Sequence, residues 1–352
     1  MNKRNYGIDV LRILSTYMVL ILHILYKGGI LNNVSINSTK YWSVWYLEIC
    51  SYVAVNCFAI ISGYVMSLKN IKLSKCFLLW LEVLFYSVLI TVIINYLKPE
   101  LFNLKELIKA FFPISSNQYW YITAYFGMCF FIPFFNRAIF LLEKEVFKRN
   151  LIAILIAMSI FPTILNAHPF NLQEGYSVVW LSVLYLVGAY LKKFYFNKII
   201  NTRICLSLFF FMATVTLFSK YIFEVFFNYS GNYLIAYNSP TIVIMSIVLI
   251  LLFQNLKINK KLEKIVKIFS STALSVYIIH CHPLIMEYII KDFAIIFIQN
   301  NTVVLIILVL CIALLILIFL SVLDLLRMKL FMIFKIDVLC ENIEKYFKNL
   351  RI

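Results

Sequence analysis

Three ionisable side chains sit inside an apolar run near the start of the chain. The run from Ile8 to Tyr26 reads IDVLRILSTYMVLILHILY and holds Asp9, Arg12 and His23. It is long and apolar enough for a bilayer-crossing helix, which takes about 20 such residues. An ionisable group in that setting costs roughly 2.5–3.5 kcal/mol on insertion scales, so it usually faces a protein interior or a watery cavity and serves function. Arg12 and His23 are eleven residues apart, about 20° beyond three full turns and about 16 Å along the axis, so a helix puts both on one face. A guanidinium is always charged and grips phosphate or carboxylate as a fork. An imidazole titrates near neutrality and serves as general base or proton relay. Asp9 stands three residues before Arg12, within pairing reach, and is grouped with His23 in the expected catalytic set. The plainer readings stay open: a structural Asp9–Arg12 pair, and a His23 that only hydrogen-bonds between helices.

Further candidates follow along the chain. Phe58 to Tyr64 reads FAIISGY, where Ser62 and Gly63 allow close helix approach. It runs into a short loop with Lys69, Lys72 and Lys75, which could hold phosphates as point charges or merely reflect the basic bias of inner loops. Asn117 to Tyr121 reads NQYWY; Trp120 and Tyr121 fit either an interfacial aromatic belt or a platform for a sugar ring. Ser270 to Pro283 reads SSTALSVYIIHCHP. His280 and His282 point about 200° apart on a helix, so they share a metal only if the helix breaks, and Pro283 is able to break it. One is expected to face a cavity while the other packs. Glu287, seven residues after His280, falls on roughly the same helical face. Glu48, Glu82 and Asp324 are further acids in or near apolar runs, with Asp324 a possible partner for Arg12 or a loop lysine. His168 is read as a solvated loop residue.

These groups need a frame, and the composition supplies it. Hydrophobic residues make up 63% of the 352 and charged ones 14%, with a mean hydropathy of +0.91. That is an all-α polytopic membrane protein. Ten spans are expected, near 8–26, 45–67, 74–97, 118–141, 151–167, 176–192, 203–220, 240–256, 272–291 and 301–324. Residues 103–116 look like an amphipathic surface helix. The transmembrane domain is drawn at 1–326 and a basic amphipathic tail at 327–352. With the N-terminus inside, 24 of the 32 lysines and arginines fall in inner segments and seven outside, so both termini are expected in the cytoplasm. The net charge of +16 is thereby a topology signal, not a nucleic-acid footprint. The first run is not a cleaved signal, being too long and holding an internal Arg. The eight Cys form no CxxC pair, so neither a metal site nor a disulfide framework is expected.

Taken in order, these pieces resemble the membrane-bound acyltransferase family 3. The resemblance is carried by Tyr6-Gly-Ile-Asp-Val-Leu-Arg12 with His23 after ten intervening residues, by Phe58 with Ser62-Gly63-Tyr64, by Trp120-Tyr121, and by Tyr277-Ile-Ile-His280. It implies a multi-pass enzyme of the bacterial cell membrane that moves an acyl group, typically acetyl, from cytoplasmic acyl-CoA to an extracytoplasmic hydroxyl. The acceptor would be a surface polysaccharide or its lipid-linked precursor. Acetyl-CoA is then a co-substrate, with no tightly bound cofactor, and membrane lipids are the other partners. With that resemblance Arg12, Ser62, Lys69, Lys72 and Lys75 are expected to serve the donor, and Trp120, Tyr121 and His280 the acceptor side or pocket, to which Glu287 is added from its expected place on the His280 face. The family's Arg-x-x-Arg motif is replaced by Lys69-x-x-Lys72 or Lys72-x-x-Lys75, and the chain is expected to be a stand-alone member without the SGNH hydrolase-like domain that many members carry. Two other classes remain: a transporter or flippase of polysaccharide precursors, which ten spans and a polar stripe also fit, and a non-catalytic scaffold. Visible repeats and Gly/Pro-broken paired helices, which mark many transporters, are missing.

Overall fold

The computed structural model describes residues 4–349 apart from 37, 70, 71, 168, 197, 199 and 228–232, so His168 lies outside the described residues. Those described form helices and no strand. In chain order the main helices are α1 (Tyr6–Tyr26), α2 (Thr39–Tyr52), α3 (Ala54–Met66), α4 (Leu73–Leu97), α5 (Leu104–Phe111), α6 (Trp120–Leu141), α7 (Lys144–Leu155), α8 (Val178–Tyr195), α9 (Thr202–Phe226), α10 (Pro240–Phe253), α11 (Lys260–His280), α12 (Thr302–Ile333) and α13 (Ile336–Asn349). The first helix starts where Asn5 caps it, its side chain accepting from the Ile8 amide.

Helix occurs in each of the ten expected spans, with a break at Cys281–His282 inside the ninth. Among the described residues eight segments are long and apolar enough to cross a membrane, and α11 with its bent extension Pro283–Ile290 makes up to nine. The remaining one, α10, has 14 residues, about 21 Å of helix against a hydrocarbon core of about 30 Å. The bend after α11 is 65°. It follows from Pro283, which has no amide hydrogen and collides with the preceding turn. His282 stabilises the break by accepting from the Leu284 amide at 3.2 Å through Nδ1. The surface helix expected in 103–116 is α5.

Arg4 and Glu344, near the two limits of the described residues, come to one end of the bundle. Arg4 Nη2 donates to Ser270 Oγ at 3.0 Å, at the start of the apolar part of α11. Glu344 of α13 accepts from the Ser74 amide at 3.2 Å at the start of α4. Asn136 Nδ2 reaches the Lys69 carbonyl at 3.0 Å, and Lys193 Nζ that of Ile139 at 2.7 Å. The basic loops gather at this end, which the positive-inside rule makes cytoplasmic. Lys348, and next Ser74, hold the Glu344 carboxyl down at about 2, well below the usual carboxylate range.

Two expectations are corrected here. The boundary drawn at 326/327 falls inside α12, which runs on to Ile333. Arg327 is therefore part of this long helix instead of the tail; it is buried, and it forks onto Asp324 with both contacts at 2.8 Å. Tyr86 donates to the same carboxylate at 2.7 Å, and Glu82 lies 3.4 Å from Arg327. Asp324 thus neutralises neither Arg12 nor a loop lysine: a cation three residues away on its own helix satisfies it, as burial requires.

The tightest helix crossing is α3 on α8. A Cβ at Gly63 would come within 1.9 Å of the Tyr185 carbonyl oxygen, and one at Gly188 within 2.0 Å of that of Ile60. Only glycine lets two backbones meet so closely, and in a membrane such contact replaces the hydrophobic drive. The crossing fixes the face of α3 that carries Phe58 and Ser62.

Candidate active site

A cavity of 440 Å³ opens among α1, α3, α4, α6 and α11. Lys75, Ser270 and Ser271 lie toward its basic end, and Arg12 lines it from α1. Asp9 holds this guanidinium, with Oδ1 3.2 Å from Arg12 Nη1. Its other oxygen lies 2.5 Å from Arg4 Nε. One buried carboxylate therefore carries two arginines, leaving positive charge in excess at the cytoplasmic mouth. That suits a polyanion with several phosphates.

This geometry moves Asp9 out of the catalytic set. Fourteen residues separate it from His23 on the same helix, about 21 Å along the axis, and both its oxygens are engaged by arginine. Of the three loop lysines, Lys75 lines the cavity, while Lys69 and Lys72 are exposed and do not. Lys72 is the residue before α4 starts and Lys75 is in its first turn, so only the latter is carried inward by the helix.

Further in, the wall is Phe58 and Ser62 of α3, Tyr121 and Tyr125 of α6, Val19 of α1 and Tyr277 of α11. Ser62 Oγ spends its proton on the Phe58 carbonyl at 2.9 Å, leaving lone pairs toward the cavity. Tyr121 and Trp120, neighbours on a helix, point about 100° apart while their rings still meet edge-on, centroids 5.7 Å apart. Tyr121 faces the cavity and meets Tyr277, ring centroids 5.8 Å apart. Trp120 faces an adjoining aromatic cluster, 4.4 Å from Tyr176 and stacked on Tyr237 at 5.8 Å, with Tyr52 stacked on Tyr237 in turn. Beside that cluster Glu48 is buried, and its Oε2 has no hydrogen-bond partner among the described residues.

The cavity stops one helical turn short of two histidines. Val19 is four residues before His23 and Tyr277 three before His280. His23 Nδ1 and His280 Nε2 are 2.9 Å apart. The other nitrogen of His280, Nδ1, lies 2.5 Å from the Val276 carbonyl, which can only accept. His280 therefore carries its proton on Nδ1 and presents a lone pair at Nε2. His23 must then donate from Nδ1, and its own Nε2 is left unprotonated. The relay Val276–His280–His23 thus fixes the tautomer of His23 and frees one lone pair for use as a base. Cys281 sits beside it, Sγ 3.3 Å from His280 Nε2 and 3.7 Å from His23 Nδ1. Together the three offer donor atoms within 4.8 Å of one another, a spacing that would also accommodate a metal ion.

The open question between His280 and His282 resolves into two roles. His280 meets His23, while His282 packs, buried, with Nε2 3.2 Å from both Thr91 Oγ1 and the Ser87 carbonyl. Glu287 does not share the His280 face, because the chain bends away at Pro283. It is half-exposed and pairs with Lys291. Three participants escaped the sequence reading. Arg4 looked like an ordinary loop charge, although it stands five residues before Asp9. Tyr125 lies one turn beyond Tyr121, a spacing that signals a shared face. Cys281 sat between the two histidines and was given no role.

The profile of an acyltransferase domain matches residues 5–322. No curated protein and no solved structure shows significant similarity to the chain. The matched region takes in Arg12, the cavity and the histidine pair, and stops inside α12 before the tail helix. With a match across nearly the whole helical bundle, the chain belongs to the membrane acyltransferase family 3 and is an acyltransferase.

Proposed function

We propose that the protein moves an acyl group, acetyl in the first instance, from cytoplasmic acyl-CoA to a hydroxyl on a surface polysaccharide or its lipid-linked precursor, in a bacterial cell membrane. The observation that carries this reading is a single line of groups along α1 and α11: two arginines and Lys75 at the basic mouth, an aromatic-walled cavity, and the histidine pair beyond its inner end. Arginine forks and Lys75 match the phosphates of coenzyme A. The cavity suits a pantetheine arm, being mostly apolar with a few polar groups. His23 Nε2 takes the proton of the acceptor hydroxyl as its oxygen attacks the acyl carbon. Trp120, Tyr176, Tyr237 and Tyr52, with the buried Glu48, suit a sugar on the far side: aromatic faces for the ring and a carboxylate for its hydroxyls.

The test is to reconstitute the purified protein in lipid nanodiscs with labelled acetyl-CoA and a panel of glycan acceptors. Release of free CoA matched by label in a glycan supports the reading. Binding of the donor without any consumption would contradict it.

A further inference from the structure

Donor and acceptor approach from opposite sides, and the cavity ends before the histidine pair. Something at that point has to bridge the two. We infer that Cys281 carries the acyl group between them as a thioester, a step that rests on the acyl-CoA reading above.

Cys281 stands where such a carrier is needed. It is the first residue past the end of α11, with non-helical backbone at φ −82° and ψ 2°, and its side chain is partly exposed while that of His280 is buried. It lies one turn above Tyr277, a wall residue of the cavity, just as His23 lies one turn above Val19. Its sulfur touches the imidazole pair at 3.3 and 3.7 Å. A thiol beside a held imidazole is the arrangement that activates a cysteine nucleophile. Cys76 and Cys129 line the cavity as well, but each has the other's thiol for a neighbour instead of a base.

The steps balance without a further reactant. The Cys281 thiol passes its proton to His280 Nε2, the unprotonated nitrogen it touches. Sγ bonds to the acyl carbon of the CoA thioester. The bond from that carbon to the CoA sulfur breaks, and His280 Nε2 returns the proton to the departing sulfur, giving free CoA. The acceptor hydroxyl then loses its proton to His23 Nε2. Its oxygen bonds to the acyl carbon, the bond to Cys281 breaks, and the cysteine recovers a proton from His23 Nδ1, the nitrogen 3.7 Å away, after which exchange with water resets the His23 tautomer. One thioester is exchanged for another before the ester forms, so the carrier adds no large energetic step.

The experiment is isotope exchange without acceptor. Labelled CoA is incubated with unlabelled acetyl-CoA and the nanodisc-embedded protein. An acyl-enzyme moves label into acetyl-CoA. Wild type is expected to exchange. Cys281→Ala is expected to lose exchange and to lose acceptor transfer by roughly 100-fold or more, while binding acetyl-CoA as wild type does, which shows that it is folded. Mass spectrometry of acid-quenched wild type should find acetyl on the peptide containing Cys281, removable by neutral hydroxylamine. Exchange or transfer at the wild-type rate by Cys281→Ala, or acetyl trapped on His23, Cys76 or Cys129, would overturn the inference and leave the acyltransferase reading intact. A wild-type protein that binds no acetyl-CoA would end both.

Discussion

His23 and His280 are 257 positions apart in the chain, yet their Nδ1 and Nε2 atoms meet at 2.9 Å. The contact is directional because the Val276 carbonyl takes the only proton of His280. In the proposed mechanism His280 is thus a positioning residue for the base. Replacing it with Ala should lower kcat by about 10–100-fold, the range found when an imidazole loses its orienting partner, and leave KM for acyl-CoA little changed. His280→Gln, whose amide oxygen can still accept from His23, should recover part of the loss. Equal damage from both variants would point to packing instead.

Arg12 and Asp9 are expected to separate kinetically. Losing a charge-assisted contact worth about 1.5–3 kcal/mol should raise KM for acyl-CoA by about 10–100-fold in Arg12→Ala, with kcat largely kept. Asp9→Asn, which loosens the guanidinium without removing it, should raise KM less. Steady-state kinetics over a range of acyl-CoA concentrations reads both. A fall in kcat for Asp9→Asn as deep as that for a His23 variant would return Asp9 to the catalytic set.

Zinc should inhibit. A Zn²⁺ ion held by His23 Nδ1, His280 Nε2 and Cys281 Sγ would occupy the lone pair that orients His23 and tie up the thiol. Titrating Zn²⁺ into the transfer assay should lower the rate, and a chelator should restore it. Activation by zinc, or loss of activity on chelation alone, would instead make the three residues a metal centre.

The tail helix α13 should come off its seat in acid. Lys348, and next Ser74, favour the charged form of Glu344 and hold its carboxyl down at about 2. A depressed carboxylate stabilises the docked state above its usual range, and that contribution fades as pH falls toward 2. Amide exchange in 336–349 should therefore rise from neutral pH to pH 3 after correction for intrinsic rates, and Glu344→Gln should show raised exchange already at pH 7. Exchange in Glu344→Gln equal to wild type at both values would exclude this anchor.

How far the sequence reached depends on the kind of contact. Arg12 and His23 share one helix, so a period of 3.6 residues was enough to align them. The spans were legible because a bilayer demands long apolar runs, and the basic loops declared their common end. What stayed hidden depends on contacts between helices far apart in the chain. Nothing local in YIIHCHP says that His280 and Cys281 meet His23, or that Arg327 rather than Arg12 holds Asp324. Glu287 was misread because a helical period was carried past Pro283, where the helix bends. Asp9 was over-read for a different reason: its neighbours in sequence were known, but Arg4 folding back onto it was not.

The central claim is that His23, freed at Nε2 by His280, is the base of an acyl transfer from acyl-CoA. The most direct measurement is transfer of labelled acetyl from acetyl-CoA by purified His23→Gln, beside equilibrium binding of the same donor. Transfer should fall by about 10²–10⁴-fold, the usual contribution of a general base, with donor affinity unchanged. Transfer at the wild-type rate by this variant would contradict the claim.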